Sequence, residues 1–266
     1  PIFTDTAIKG GLAKISEWAF RNVPNESVMY KDLFAWLKKE HPDLQTVFGG
    51  VEQDFAHSRY GWHKVMKVRS PEAGFTVVDE AKWLLNDTSF TTQVRQMKKA
   101  KADIISISAH PFTTCGVLRE MKRQKVKPKL LVGLTSSSSM ETLTGCAAEA
   151  EGIIIPTSFA PVTDAAREAA AATAAQGGNA DLHSAAAWEI VMVLKGVIES
   201  SGIEAKPDTV QSDRRKIRDG LAALKETTGL LGTIGRTAEG EANKPYVFAH
   251  AKSGQWAVLH LSLIHI

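Results

Sequence analysis

A chain of 266 residues can build one large or two medium domains. Its 44% hydrophobic and 23% charged residues are in globular proportion, which argues against a disordered or fibrous chain, and no apolar run is long enough for a spanning helix. The net charge of +3 is spread out. Its densest basic runs (Lys98, Lys99 and Lys101; Lys122 to Lys129) flank apolar segments without interleaved aromatics, which argues against a nucleic-acid surface.

In chain order, Ile8, Leu12, Ile15 and Ala19 form an apolar stripe at helical spacing. Tyr30, Leu33, Phe34 and Leu37 form a second, ended by Pro42. Five short apolar runs follow: Thr46 to Phe48, Phe75 to Val78, Ile104 to Ile107, Leu130 to Val132, and Ile153 to Ile155. They are β-branched or aromatic with little alternation, as strands covered on both faces should be. Helical patterns lie between them, at Tyr60 to Val68, Phe90 to Met97, Phe112 to Gln124 and Met140 to Ala148. That alternation predicts α/β architecture with a doubly wound parallel sheet. An Ala-rich segment after Thr163 predicts a helix stopped by Gly177-Gly178. Two amphipathic helices follow, one carrying Ile190, Val191, Leu194, Val197 and Ile198, the other Ile217, Leu221 and Leu224. Tyr246 to Ala249 and Trp256 to Leu259 predict a closing hairpin around Lys252-Ser253-Gly254. Residues 163–228 are thus mostly helical without a strand to pack on, so a second sheet is expected to belong there and the apolar faces of these helices to be exposed.

Cys115 and Cys146 lie on predicted helices outside any CxxC or Cys/His cluster, which argues against a metal site. Buried free thiols and a single disulfide both fit them. The start at Pro1 reads as internal, with no signal peptide in the chain and one expected upstream. Residues 261–266, "LSLIHI", read as a non-native tail resembling translated adapter sequence.

Four stretches together resemble the type 1 periplasmic binding proteins of the branched-chain amino-acid (Leu/Ile/Val) family of ABC importers. They are "EQDFAHSRYG" (52–61), "DTSFTTQVRQMKKAKADIISISA" (87–109), "GCAAEAEGIIIPTSF" (145–159) and "DRRKIRDGLAALKETTGLLGTIGRTAEGE" (213–241). None is specific alone; their order and spacing cover nearly the whole chain. The resemblance implies two lobes with a ligand cleft, one nearly complete and one partial. Residues 1–157 would be the second lobe, 158–242 the returning helical part of the first, and 243–260 a final hairpin back to the second. It also implies a small-molecule ligand, a membrane permease as partner, a periplasmic location, and neither cofactor nor catalysis.

His110 is one candidate ligand residue. It follows the strand Ile104 to Ile107 at its carboxyl end, the crevice side of an open parallel sheet, and can donate and accept at once. The matching family position falls there or next door; otherwise His110 is held in the turn by Pro111. Tyr60 matches a family tyrosine that faces the ligand, or else it packs at a helix start. Asp54 suits a turn better than a ligand ammonium. In "TSSSS", Thr135 and Ser136 offer hydroxyls and amides to an anionic group, while Ser138 or Ser139 fits a helix cap. Amino-acid binders of the family often place a carboxylate near this loop, and here none occurs before Glu141. Gly229, Gly232 and Gly240 read as turn glycines, because no phosphate-loop pattern follows a strand. Two further readings remain: a ligand sensor of the same fold, and an α/β enzyme using His110 or His57.

Overall fold

The computed structural model describes residues 1–266 except 6, 8, 237–240 and 263–266. Ile8, Gly240 and residues 263–266 of the suspected tail therefore lie outside the described residues. The chain divides into two compact units: Pro1–Asn25 with Ser158–Tyr246, and Glu26–Thr157 with Val247–Leu261. Residues 1–25 thus group with the segment after Thr157, not with 26–157 as the sequence suggested.

The first apolar stripe is not an α-helix. β1 (Ile2–Thr4) and β2 (Ala19–Arg21) pair in parallel, with only a 3-10 turn, Leu12–Lys14, between them. Gly11 takes φ +84 before that turn, a left-handed conformation that ends any helix, and Ile15 is left exposed.

The larger unit opens with α1 (Glu26–Glu40), which buries Met29, Tyr30, Leu33, Phe34 and Leu37 on one stripe. β3 (Thr46–Glu52) leads into α2 (Ala56–Tyr60), which continues through a π-helical stretch, Gly61–Met66, into α3 (Lys67–Glu72). Next come β4 (Thr76–Trp83), α4 (Thr91–Ala100), β5 (Ile104–Ser108), α5 (Pro111–Arg123), β6 (Leu130–Gly133), α6 (Met140–Ala150) and β7 (Ile153–Thr157). The five expected strands are all present. The pairs β4–β3, β3–β5, β5–β6 and β6–β7 are all parallel.

Adjacent glycines of β3 show that both faces are covered. A Cβ on Gly49 would lie 2.1 Å from the Trp62 ring, on the side of the α2–α3 helix. One on Gly50 would lie 2.8 Å from Trp83 and 3.0 Å from Met97 of α4. Successive strand residues point to opposite faces, so no side chain fits either position while both indoles stand where they do. The main core joins Phe48, Trp83, Ile105, Ile107, Ile153 and Ile155 to Val94, Val117, Leu118 and Met121. Each such buried side chain contributes about 1.5–3 kcal/mol.

Cys115 of α5 and Cys146 of α6 form a disulfide, with Cα atoms 5.5 Å apart. Of the two possibilities left by the sequence, free thiols are thus the wrong one. Neither type of residue pattern could decide it, because the pairing depends on two helices separated in sequence lying side by side.

In the smaller unit α7 (Asp164–Ala175) is capped by Thr163, whose side chain accepts from the Ala166 amide. α8 (Leu182–Ser200) starts at a capping box between Asp181 and Ser184, and α9 (Val210–Ala223) follows. Phe20 of β2 packs with Val193, Val197 and Leu221 from α8 and α9. Of the five residues expected to be exposed, Val191 and Ile198 are, joined by Trp188 and Met192; Ile190 and Leu194 are partly covered and Val197 is buried. β8 (Glu226–Gly229), β9 (Gly232–Arg236) and β10 (Ala242–Asn243) make a small antiparallel sheet that the sequence reading missed. Buried within this unit, Glu189 takes Lys244 Nζ, Asn22 Nδ2 (3.0 Å) and the Leu230 amide (2.8 Å).

β11 (Tyr246–Lys252) and β12 (Gln255–Ser262) complete the larger unit's sheet, in the order β12-β11-β7-β6-β5-β3-β4. Ser253 (φ 52) and Gly254 (φ 76) make the turn between them.

Candidate functional site

Parallel register decides which residues meet at the carboxyl edge of the large sheet. Val51 of β3 pairs with Ser108 of β5, so Glu52 stands one residue beyond that pair, beside the turn into α5. His110 occupies the N-cap position of α5 in extended conformation (φ −76, ψ 164), and its side chain caps nothing. The ring turns to Glu52 instead: Nδ1 lies 2.6 Å from Glu52 Oε1. Thr113, in the first turn of α5, donates to Glu52 Oε2 at 2.5 Å, and Ser58 Oγ donates to Oε1 at 2.9 Å. Glu52 has no solvent exposure. Burial pushes its carboxyl up, but the bonds from His110, Thr113 and Ser58 outweigh that and hold it below the ordinary carboxylate range. The positive end of α5 acts in the same direction.

A second pair of the same kind lies beside the first. His57 Nε2 of α2 lies 3.1 Å from Glu26 Oε1, at the first residue of α1. Thr135 Oγ1 donates to the same oxygen at 2.6 Å. Glu26 is also fully buried, and its Oε2 accepts no hydrogen bond among the described residues. Its charge and the burial of Tyr30 raise the Tyr30 phenol well above its ordinary value, burial being the larger cause. The phenol stays neutral and donates to the Gly133 carbonyl at 2.5 Å. The rings of His57 and His110 are 6.0 Å apart, and Phe55 meets His110 edge-on at 4.1 Å.

The "TSSSS" loop is a 3-10 turn, Thr135–Ser138, after β6. Ser139 is the N-cap of α6 and accepts from the Glu141 amide. Ser137 donates to the Ala109 carbonyl and Ser138 to Thr157 Oγ1, which ties the loop to β5 and β7. Ser136 Oγ is buried without a partner among the described residues.

The structure therefore brings His110 and Thr135 into one cluster, joined through Glu52, Ser58, His57 and Glu26. Ser136 borders it. Tyr60 is half-buried at the end of α2, one turn after His57, and its side chain makes no hydrogen bond or ring contact among the described residues. Asp54 lies outside the cluster: its Oδ1 accepts from the Leu85 amide, holding the loop after β4. The carboxylate absent from the loop's own sequence comes from α1, as Glu26. Sequence reasoning missed both glutamates. The signal for Glu52 was a lone acid closing an otherwise apolar run, "TVFGGVE".

The cluster does not have the geometry of a nucleophile–His–acid relay. Ser58 is buried and approaches the same His110 nitrogen as Glu52, at 3.3 Å. A nucleophile–His–acid relay needs the two partners on opposite ring nitrogens. No group of three or more metal-ligating side chains occurs among the described residues.

A sequence profile described as periplasmic binding protein matches residues 3–255. Similar solved structures include a leucine-binding protein from Thermotoga maritima (TM-score 0.85, 17% identity, covering 98% of this chain and 72% of that one). A branched-chain amino-acid transporter substrate-binding protein from Streptococcus pneumoniae, in complex with isoleucine, has TM-score 0.81 at 16% identity, covering 99% and 72%. An ABC transporter substrate-binding protein from Desulfitobacterium hafniense, in complex with Leu, has TM-score 0.76 at 17% identity, covering 97% and 72%.

Proposed function

The chain belongs to the periplasmic binding protein family, one of binding proteins and not enzymes, and from that premise we propose that it binds a small polar molecule for an ABC importer. The ligand class is an amino acid, an amide or a related organic compound, delivered to a membrane permease. The observation that carries this reading is the polar wall at the carboxyl edge of the large parallel sheet, where open α/β sheets hold ligands. His110, Thr135 and Ser136 line it in this reading, with Tyr60 at its border; Asp54 is engaged by the Leu85 amide. The unit of Glu26–Thr157 and Val247–Leu261 would be the second ligand-binding lobe, and the other unit the returning part of the first. The Cys115–Cys146 disulfide supports an extracytoplasmic location, where thiols are oxidised.

The test is a thermal-shift screen with amino acids, their amides and small organic acids, followed by calorimetric titration. One chemical class should raise the melting temperature progressively with concentration, adding about 2.7 kcal/mol of stability at a hundredfold excess over Kd. The bound compound should be recovered unchanged by mass spectrometry. A converted product, or no stabilising compound, would overturn the reading.

A further inference from the structure

Two histidines of the wall are mounted in the same way, and the mounting bears on what they can hold. This step rests on the binding function above. Glu26 and Glu52 are fully buried, while the His57 and His110 side chains are 22% and 24% exposed. The acids thus stand behind and the imidazoles in front. A ligand reaching this surface meets ring nitrogens before any carboxylate oxygen. Each ring gives one nitrogen to its glutamate, Nε2 in His57 and Nδ1 in His110. The other nitrogen, His57 Nδ1 or His110 Nε2, makes no hydrogen bond among the described residues and is not buried.

Neither glutamate has an ion pair with Lys or Arg among the described residues. A buried carboxylate needs a countercharge, and in each pair the imidazolium is the group in contact that can supply it. A ring protonated in this way, with its inner N–H donated to the glutamate, leaves its outer N–H free as a charge-assisted donor on a partly exposed side chain. The groups that meet the two rings are few. Glu26 comes from α1 and Glu52 from β3, and the neutral hydroxyls of Thr135 and Ser58 lie at 3.5 and 3.3 Å. The Phe55 edge is the other aromatic contact of His110 among the described residues, besides the His57 ring. With ring centroids 6.0 Å apart, the two rings are close enough for one small anionic group to reach both.

We infer that the ligand is an organic anion whose carboxylate is held by the outer nitrogens of protonated His57 and His110, so that this wall takes the ligand's acid and not its ammonium. Phe55, which is 40% exposed, offers an apolar surface beside His110 for the rest of the molecule. Binding is then coupled to a proton. The anion binds the imidazolium form, because a neutral ring that donates its inner N–H to the glutamate leaves its outer nitrogen an acceptor.

The experiment uses the full chain and a thermal-shift panel of matched pairs: aliphatic, aromatic and amino acids, each against its primary amide, at about pH 5.5 and about pH 8.5. The expected result is stabilisation by acids and not by their amides. The best acid should bind about tenfold or more tightly at the lower pH, as read by titration. His57→Ala and His110→Ala should each weaken it by about tenfold or more and flatten the pH dependence. The acid–amide comparison needs only the native protein, so a variant that misfolds does not remove the test. Amides or amines that stabilise as well as the acids, or acid binding indifferent to pH, would overturn this inference alone. Saturable stabilisation by zinc chloride that depends on both histidines would also overturn it, by making the rings metal ligands. Silence across the whole panel would overturn both this inference and the binding function.

Discussion

Replacing Glu52 by Gln probes the centre of the wall with almost no change of shape. The carboxylate accepts three side-chain hydrogen bonds, from Ser58 at 2.9 Å, Thr113 at 2.5 Å and His110 at 2.6 Å. An amide can accept on its oxygen only; its NH2 would face a hydroxyl or a ring N–H that is itself aimed inward as a donor. Hydrogen bonds to a charged group contribute about 1.5–3 kcal/mol each, and losing the buried charge returns part of that. The expected cost at neutral pH is about 2–4 kcal/mol, read by urea unfolding followed through tryptophan fluorescence, since Trp62 and Trp83 are buried in the same unit. The pH dependence has a definite sign. The folded Glu52 carboxyl is held below its ordinary value, so its contribution is full above the unfolded carboxyl range and is lost as pH falls through the folded value. The gap between native and variant should therefore narrow in acid. A gap under about 0.5 kcal/mol at neutral pH, or one that stays constant into acid, would refute the claim that the wall is built on an ionised Glu52.

Three other outcomes are expected. Removing the disulfide with Cys115→Ala and Cys146→Ala should cost about 3–4 kcal/mol for the loop it closes, and reductant should lower the native protein's denaturation midpoint but not the variant's. Glu80 lies 2.7 Å from both Trp62 Nε1 and Lys67 Nζ and 2.8 Å from Lys82 Nζ; burial alone would raise its carboxyl, but the lysine and indole contacts lower it to about 2. Glu80→Gln should cost about 2 kcal/mol at neutral pH after solvent screening, and the penalty should vanish as pH falls from the ordinary 4.5 through about 2. Gly49→Ala would set a Cβ 2.1 Å from the buried Trp62 ring, so a loss of at least about 1–3 kcal/mol with a red-shifted emission is expected.

The large sheet was legible because each strand is a short, β-branched run covered on both faces, and each helix between carries one stripe. Ile104 to Ile107 and the pattern from Phe112 to Met121 are β5 and α5 within a residue or two. The first stripe misled for a local reason: Gly10-Gly11 cannot propagate a helix, and Phe20 is drawn into β2 by packing against α8 and α9. β8 to β10 are Thr- and Gly-rich, without the apolar alternation that marks a strand. At the wall, His110 and Thr135 could be read from their places after strands. Their partners could not, because Glu52 lies 58 residues before His110 and Glu26 lies 109 before Thr135. Only the parallel register and the packing of α1 bring them together.

The most direct measurement is calorimetric titration of the native protein and of His110→Ala with the compound that stabilises the native chain most. The account predicts a saturable interaction in the native protein and a loss of about tenfold or more in affinity in the variant, with the variant's fold intact by circular dichroism. Equal affinity in the two folded proteins would place the ligand away from the carboxyl edge of the large sheet, and chemical conversion of the compound in the cell would contradict a binding function.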